Sequence, residues 1–206
     1  MLSASDLGPL LAAIARAEAI SRDVALRQSR LAPAPLARAL AQQARQEAAH
    51  ATLFGAAAAA LPGGARCPPR VERALQAFRV RLERDLDRAE LAGTLVGLQG
   101  VLESLACVAL EPPPGELARL ADRLVPLRLL VLRQEDAHHQ LGERWIGRLV
   151  SDPAQALAPA RLAYTALAAD LLDAGLAELA CLAGDAPHYR TAIATRLALS
   201  PDPQVP

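Results

Sequence analysis

The sequence predicts an all-α fold, a four-helix bundle with additional C-terminal helices, and three observations carry that prediction. Apolar residues make up 52% of the 206 positions but aromatics only 2%, so Leu, Ala and Val must fill the core. Ala, Leu and Arg favour helix, whereas the β-branched and aromatic residues that favour strands are few. Proline and glycine fall in clusters that divide the chain into helix-length segments. Finally, the hexapeptide Arg-Gln-Glu-x-Ala-His occurs twice, at 45–50 and at 133–138.

The first helix is expected to start near Ser5 or Asp6 as its N-cap and to run to about Leu31. The break Ala32-Pro33-Ala34-Pro35 leads into a second helix from about Leu36 to Leu61. Pro62-Gly63-Gly64 and then Pro68-Pro69 separate it from a third, which the pattern carries as far as Leu110. A helix of that length is expected to bend, near Gly93 or Gly97. Pro112-Pro113-Pro114-Gly115 ends it. The fourth helix follows, kinked or restarted at Pro126, and reaches Val150. Beyond Asp152-Pro153 come one or two accessory helices with a break at Pro159, then a last one from about Pro187 to Leu199. Residues 1–199 are thus expected to form one domain, with the four principal helices in about 5–150, accessory helices in about 153–199, and a disordered tail at 200–206.

Residues three apart on a helix lie nearly one above the other. Each hexapeptide therefore aims a carboxylate and an imidazole at one point: Glu47 with His50, and Glu135 with His138. With 11 Glu in the chain, a given His has roughly a 5% chance of a Glu three residues before it, so one such pair is weak. Two pairs that share the preceding Arg-Gln and the internal Ala are not a coincidence of composition. Glu135 lies 88 residues after Glu47, so the helix pairs around the two copies read as two equivalent halves.

Two further carboxylates fit the pattern. Glu103 is the only charge between Leu91 and Leu110. A carboxylate in so apolar a helix must be protonated, paired or bound to a cation, and a buried Arg such as Arg128 is the competing partner. Glu18 falls in the middle of the face formed by Leu7, Leu10, Leu11, Ile14 and Ala25, with Arg22 as its competing partner. On the second helix, Leu36, Leu40, Glu47, His50 and Phe54 share one face; on the fourth, Leu124, Val131, Glu135, His138, Gly142 and Leu149 do. Four carboxylates and two imidazoles suit two divalent first-row cations, and the four negative charges balance two M²⁺. Iron is the expected metal, with a mixed Mn/Fe pair and Zn left open by ligand type.

Gln46 and Gln134 either orient ligands by hydrogen bonds or face solvent. His139 points about 100° away from His138 and is read as a supporting or surface group. His188 lies outside the motifs. Beside Glu103, Val96, Gln99 and Gly100, with Gly142 across from them and Phe54 and Cys107 alongside, are expected either to line a small apolar substrate pocket or to let helices pack closely.

Zero formal charge without a basic run argues against nucleic acid as a partner. Cys67, Cys107 and Cys181 include no C-x-x-C pair, hence no disulfide framework and no second redox centre of that type. The N-terminus has no secretory signal pattern, and Gln99 and Glu103 interrupt the apolar stretch, which makes it a poor membrane span. A reducing cytoplasm is the expected compartment, and a homodimer is compatible with the sequence.

Taken in chain order, Glu18, Glu47/His50, Glu103 and Glu135/His138 resemble the ferritin-like di-iron carboxylate superfamily, over about residues 5–150. The resemblance implies a ferritin-like bundle holding two irons between these six residues, with carboxylate bridges, and reaction of the reduced metals with O₂ or peroxide. Ribonucleotide reductase small subunits carry a radical Tyr one turn after the first motif His, where this chain has Phe54. The layout looks more like the single-chain oxygenases: aldehyde-deformylating oxygenase, the tRNA-modifying hydroxylase and demethoxyubiquinone hydroxylase. It implies a non-haem di-iron oxygenase or oxidase with O₂, a small, largely apolar substrate and an external electron donor as partners. The alternatives are a ferroxidase or peroxide-scavenging protein without organic substrate, and a binding protein without redox chemistry.

Overall fold

The computed structural model describes residues 4–61, 66–110, 125–179, 182 and 186–198. Eight helices and no strand occur among them. We number them α1 (Ala4–Leu31), α2 (Ala34–Ala60), α3 (Pro69–Asp87), α4 (residues 91–110), α5 (Val125–Leu149), α6 (Pro153–Ala156), α7 (Ala158–Glu178) and α8 (Ala186–Ala198). The breaks expected at Pro62–Gly64 and Pro112–Gly115, the tail at 200–206, Leu124 and Cys181 lie outside the described residues.

Prolines set most helix starts, since a residue with fixed φ and no N–H costs nothing in the first turn. Pro35, Pro69, Pro126, Pro153 and Pro159 all sit within the first two positions of α2, α3, α5, α6 and α7. Asp152 caps α6, its side chain accepting from the Gln155 amide at 3.2 Å.

The expected long third helix is in fact two. The chain leaves α3 at Arg88–Glu90, before either of the glycines expected to bend it. The Glu90 N–H donates to the Asp85 carbonyl and the Ala89 N–H to the Leu86 carbonyl, both at 2.9 Å, which closes a Schellman turn. Its left-handed position, usually glycine, is held by Ala89 at φ 57°. An alanine there leaves no mark in the sequence, so the break is invisible to pattern reading.

Within α4 the residues Val96–Leu102 are π-helical, and the Glu103 N–H donates to the Leu98 carbonyl five residues back. Gly97 faces the Tyr164 ring of α7, and a Cβ there would overlap the ring. Tyr164 in turn donates to the buried Asp85 at 2.9 Å, and the Arg81 guanidinium grips the same carboxylate at 2.8 and 3.0 Å. The last turn of α3 and the middle of α7 thus brace the π-helical stretch.

Helix α1 packs along α2, α5 packs along α4 and also meets α2, and α1 touches α4. Helices α3, α7 and α8 cover the far side, α3 against α1 and α7, α7 against the π-helical stretch, and α8 against the end of α4. Helix α4 has the length and hydropathy of a membrane span, yet 83% of that window is buried inside the protein, where it serves as the central core helix.

The strained cap makes a simple prediction. Ala89→Gly removes the left-handed penalty of about 1–2 kcal/mol and returns part of it as unfolded-chain entropy. The variant should be more stable by up to about 1 kcal/mol, seen as a higher midpoint in chemical denaturation.

Candidate metal centre

Four helices each bring at least one acidic side chain to a common point: Glu18 from α1, Glu47 with His50 from α2, Glu103 from α4, and Glu135 with His138 from α5. All six are at most 4% exposed. They form two overlapping groups, Glu18, Glu47, His50 and Glu135, and Glu47, Glu103, Glu135 and His138, with the ligand atoms of each within 4.8 Å of one another. Glu47 and Glu135 belong to both groups.

The distances follow a near-twofold pattern. His50 Nδ1 lies 3.2 Å from Glu47, 3.3 Å from Glu135 and 3.6 Å from Glu18. His138 Nδ1 lies 3.0 Å from Glu47, 3.8 Å from Glu135 and 3.5 Å from Glu103. Each imidazole therefore faces its own motif Glu, the other motif's Glu, and one further acid.

The Arg-Gln-Glu-x-Ala-His repeat has a reciprocal logic. His50 Nε2 donates to Gln134 Oε1 at 2.7 Å, and His138 Nε2 donates to Gln46 Oε1 at 2.9 Å. The Gln of each copy holds the His of the other. With the Nε2 proton committed in this way, Nδ1 faces the carboxylates: it carries a proton toward them in the metal-free protein, and once deprotonated it offers its lone pair to a cation at the same place. Gln46 and Gln134, left open between support and solvent by the sequence, are part of the site.

The electrostatics are compatible with a bound cation. Burial raises the Glu18 and Glu103 carboxyls well above their ordinary range, and the neighbouring carboxylates add to the rise. Burial also pushes Glu47 and Glu135 upward, but the His138 and His50 imidazoles close to both, and the Glu103 carboxyl beside Glu135, outweigh it and hold both below that range. The imidazoles answer the acids. Burial pulls His50 down, yet Glu135, Glu18 and Glu47 push it up to about 12. Glu135 and Glu47 do the same for His138, to about 9. Even so, Glu18 Oε1 and both oxygens of Glu135 are buried without a hydrogen-bond partner among the described residues. Orphaned carboxylate oxygens in a dry core are costly, and the donor set fits divalent cations lying between the carboxylates and the two Nδ1 atoms.

The competing partner of Glu18 is engaged elsewhere. The Arg22 guanidinium bonds Asp23 at 2.7 and 2.9 Å, not Glu18. Glu103 accepts from Gln43 at 2.8 Å, and the Arg128 side chain lies outside the described residues.

Gln43, Gln28 and Thr94 were not singled out in the sequence, and they form a buried polar chain leading to the acids. Gln43 Nε2 donates to Glu103 and, at 3.1 Å, to Glu47; Gln99 Nε2 donates to Gln43 at 3.0 Å and to Gln28 at 2.9 Å; Gln28 Nε2 donates to Thr94 at 3.1 Å. One signal could have found Gln43: it falls on the stripe of Leu36, Leu40, Glu47, His50 and Phe54 on α2, where a polar residue has no business without a partner.

The pocket expected beside Glu103 takes a different form. A Cβ on Gly142 would lie 2.6 Å from Gln99 Cβ, so the glycine lets α5 close on the Gln99 side chain instead of opening a space. Gln99 is fully buried in the amide chain, and Phe54, Val96 and Cys107 are buried core residues. Burial also pushes the Cys107 thiol up to about 12, which keeps it an inert thiol. Gly100 is half-buried. An apolar cavity of about 90 Å³ exists elsewhere, between α1 and α4 on one side and α3, α7 and α8 on the other. Ile14 and Ala17 line it next to Glu18, Leu102 and Ala106 next to Glu103, and none of the six expected pocket residues borders it. His139 donates from Nδ1 to the Gln99 carbonyl at 3.0 Å and thereby pins the π-helical stretch, while His188 stacks edge-on against Tyr189.

The metal-free protein should lose stability as pH rises. His138, held up to about 9 against an ordinary 6.5, contributes fully below 6.5 and loses its contribution as pH passes 9. Glu18 and Glu103, raised by burial, act in the same direction once pH exceeds the ordinary carboxyl range. Glu47 and Glu135, held low, lose theirs only at acid pH. Thermal melts of metal-free protein should therefore fall from about pH 6.5 to about pH 10, and divalent cations, which replace the protons, should flatten that slope.

No protein-family model matches the chain, and no curated protein or solved structure matches it.

Proposed function

We propose that the chain is a ferritin-like four-helix bundle with accessory helices, and that it is a non-haem di-iron oxidoreductase. In this reading it activates O₂ to oxidise or hydroxylate a small, largely apolar substrate, with electrons from an external donor. The observation that carries it is the doubled cluster: two imidazole Nδ1 atoms, each facing three carboxylates, with Glu47 and Glu135 common to both. Iron, when bound by these residues, would supply the redox chemistry by which O₂ accepts electrons from substrate and donor.

The chain's own residues have separable roles. Glu47 and Glu135 belong to both groups and would be shared by the two ions, while Glu18 with His50 would help to hold one ion and Glu103 with His138 the other. Gln46 and Gln134 fix the imidazole tautomers, and the surrounding Leu, Val and Ile side chains exclude water from the centre. The apolar cavity, walled by stretches of α1 and α4 adjacent to Glu18 and Glu103, favours an apolar substrate.

A second reading is favoured by one specific observation. Gln99 fills the space at Gly142, and all six cluster residues are buried, which suits reaction with O₂ or peroxide alone. A ferroxidase or peroxide-scavenging protein needs nothing larger to reach the metals.

Anaerobic Fe(II) loading followed by O₂ tests the proposal. The intact chain should take up two irons, consume O₂ and develop near-ultraviolet charge-transfer absorption, while Glu103→Ala should consume O₂ at least about 10-fold more slowly. Equal O₂ consumption by the two proteins would overturn it. Rapid multiple turnover on Fe(II) and peroxide, with no stimulation by apolar substrates, would favour the second reading.

A further inference from the structure

The near-twofold symmetry of the cluster breaks at the buried position four residues before each motif Glu, and the break makes its two halves different. Shifting by the 88 residues that separate Glu47 from Glu135 also maps His50 onto His138 and Gln46 onto Gln134. The same shift maps Gln43 onto Val131, and both side chains are buried, at 1% and 0% exposure. Gln43 offers its amide to the acids, whereas Val131 offers only methyl groups.

The consequence falls on the two terminal carboxylates. Gln43 Nε2 ties down Glu103 Oε1 at 2.8 Å and Glu47 Oε1 at 3.1 Å, which leaves Glu103 Oε2 on the His138 side at 3.5 Å. Gln43 itself cannot turn over, because its Oε1 accepts from Gln99 Nε2 at 3.0 Å, and Gln99 is held by Gln28 in turn. Glu18 has no such tether. Its Oε2 lies 3.6 Å from His50, and its Oε1 has no hydrogen-bond partner among the described residues.

We infer that Gln43 is a positioning residue that makes the two metal positions unequal: the one at Glu103 and His138 is preformed and fills first, and the one at Glu18 and His50 fills second. At the first position two carboxylates are already oriented, so little ordering remains when a cation arrives. One oxygen of Glu103 is spoken for, so this residue binds through the other. At the second position Glu18 keeps both oxygens available, so it can chelate with both or shift between modes as the ion changes. This inference rests on the metal-pair part of the proposed function and not on any substrate.

Mn²⁺ titration followed by loss of the free-ion electron paramagnetic resonance signal reads the two steps without any turnover. The intact chain should bind two Mn²⁺ in separate steps. Gln43→Val, which copies Val131, should weaken the tighter step about 10- to 100-fold and bring the two together. A role confined to general stability would weaken both steps alike. Should Gln43→Val fail to fold, the pair Glu18→Gln and Glu103→Gln decides: Glu18→Gln should keep the tight step and lose the weak one, and Glu103→Gln the reverse. Two steps that Gln43→Val leaves in place, or loss of the tight step in Glu18→Gln, would overturn the inference while leaving the metal pair intact. Absence of any Mn²⁺ binding by the intact chain would overturn both.

Discussion

Four carboxylates and two imidazoles buried in one place must reach near-neutrality, and much of the remaining structure follows from that requirement. A single ionised carboxylate in an apolar core is already costly, and mutual repulsion makes a group of them far worse. The chain responds by crossing its donors: each imidazole turns Nδ1 to the acids and hands its other proton to the glutamine of the opposite motif. That arrangement locks α2 to α5, although these helices touch along little of their length. Protons can balance the charge, with Glu18 and Glu103 neutral and both imidazoles charged against Glu47 and Glu135, but they leave oxygens of Glu18 and Glu135 without a hydrogen-bond partner, which divalent cations would satisfy.

Support for the cluster comes from helices that contribute nothing to it. Asp85 on α3, Tyr164 on α7 and Gly97 on α4 form a contact that clamps the π-helical turns from behind. From the front, His139 takes the Gln99 carbonyl, and Gly142 allows Gln99 to pack flat against α5. A π-helical stretch changes the direction of every residue after it, so the aim of Glu103 depends on this brace. The same stretch presents Gln99 to Gln43 and Gln28, joining α1, α2 and α4 by side-chain amides in an otherwise apolar interior.

Cations, substrate space and protein stability are therefore connected in the proposed enzyme. The apolar cavity lies behind α1 and α4, on stripes adjoining Glu18 and Glu103, and is lined on the other side by α3, α7 and α8. The accessory helices thus both brace the π-helical turns and wall the space most suited to an apolar guest. In the proposed reading, they are what distinguishes an oxygenase from a protein that handles only iron, O₂ or peroxide.

Much of this was legible in the sequence because it depends on local spacing. Helical composition, proline-marked helix starts and two Glu-x-x-His pairs need only the 3.6-residue period and the chemistry of the side chains, and Glu103 declared itself as a lone charge in an apolar run. The six residues predicted as ligands are the six that the fold brings together. What the sequence could not show depends on contacts between distant segments. The break after α3 rests on an alanine forced into a left-handed turn, and the π-helical turns depend on Tyr164 meeting Gly97 from another helix. Spacing alone fits Gly142 equally to a pocket or to close packing; the Gln99 side chain against it makes it packing, and the cavity lies instead where accessory helices meet α1 and α4. Spacing along one helix fixes which side chains share a face, but only tertiary packing decides which faces meet, and hence what each glutamine holds and where empty space remains.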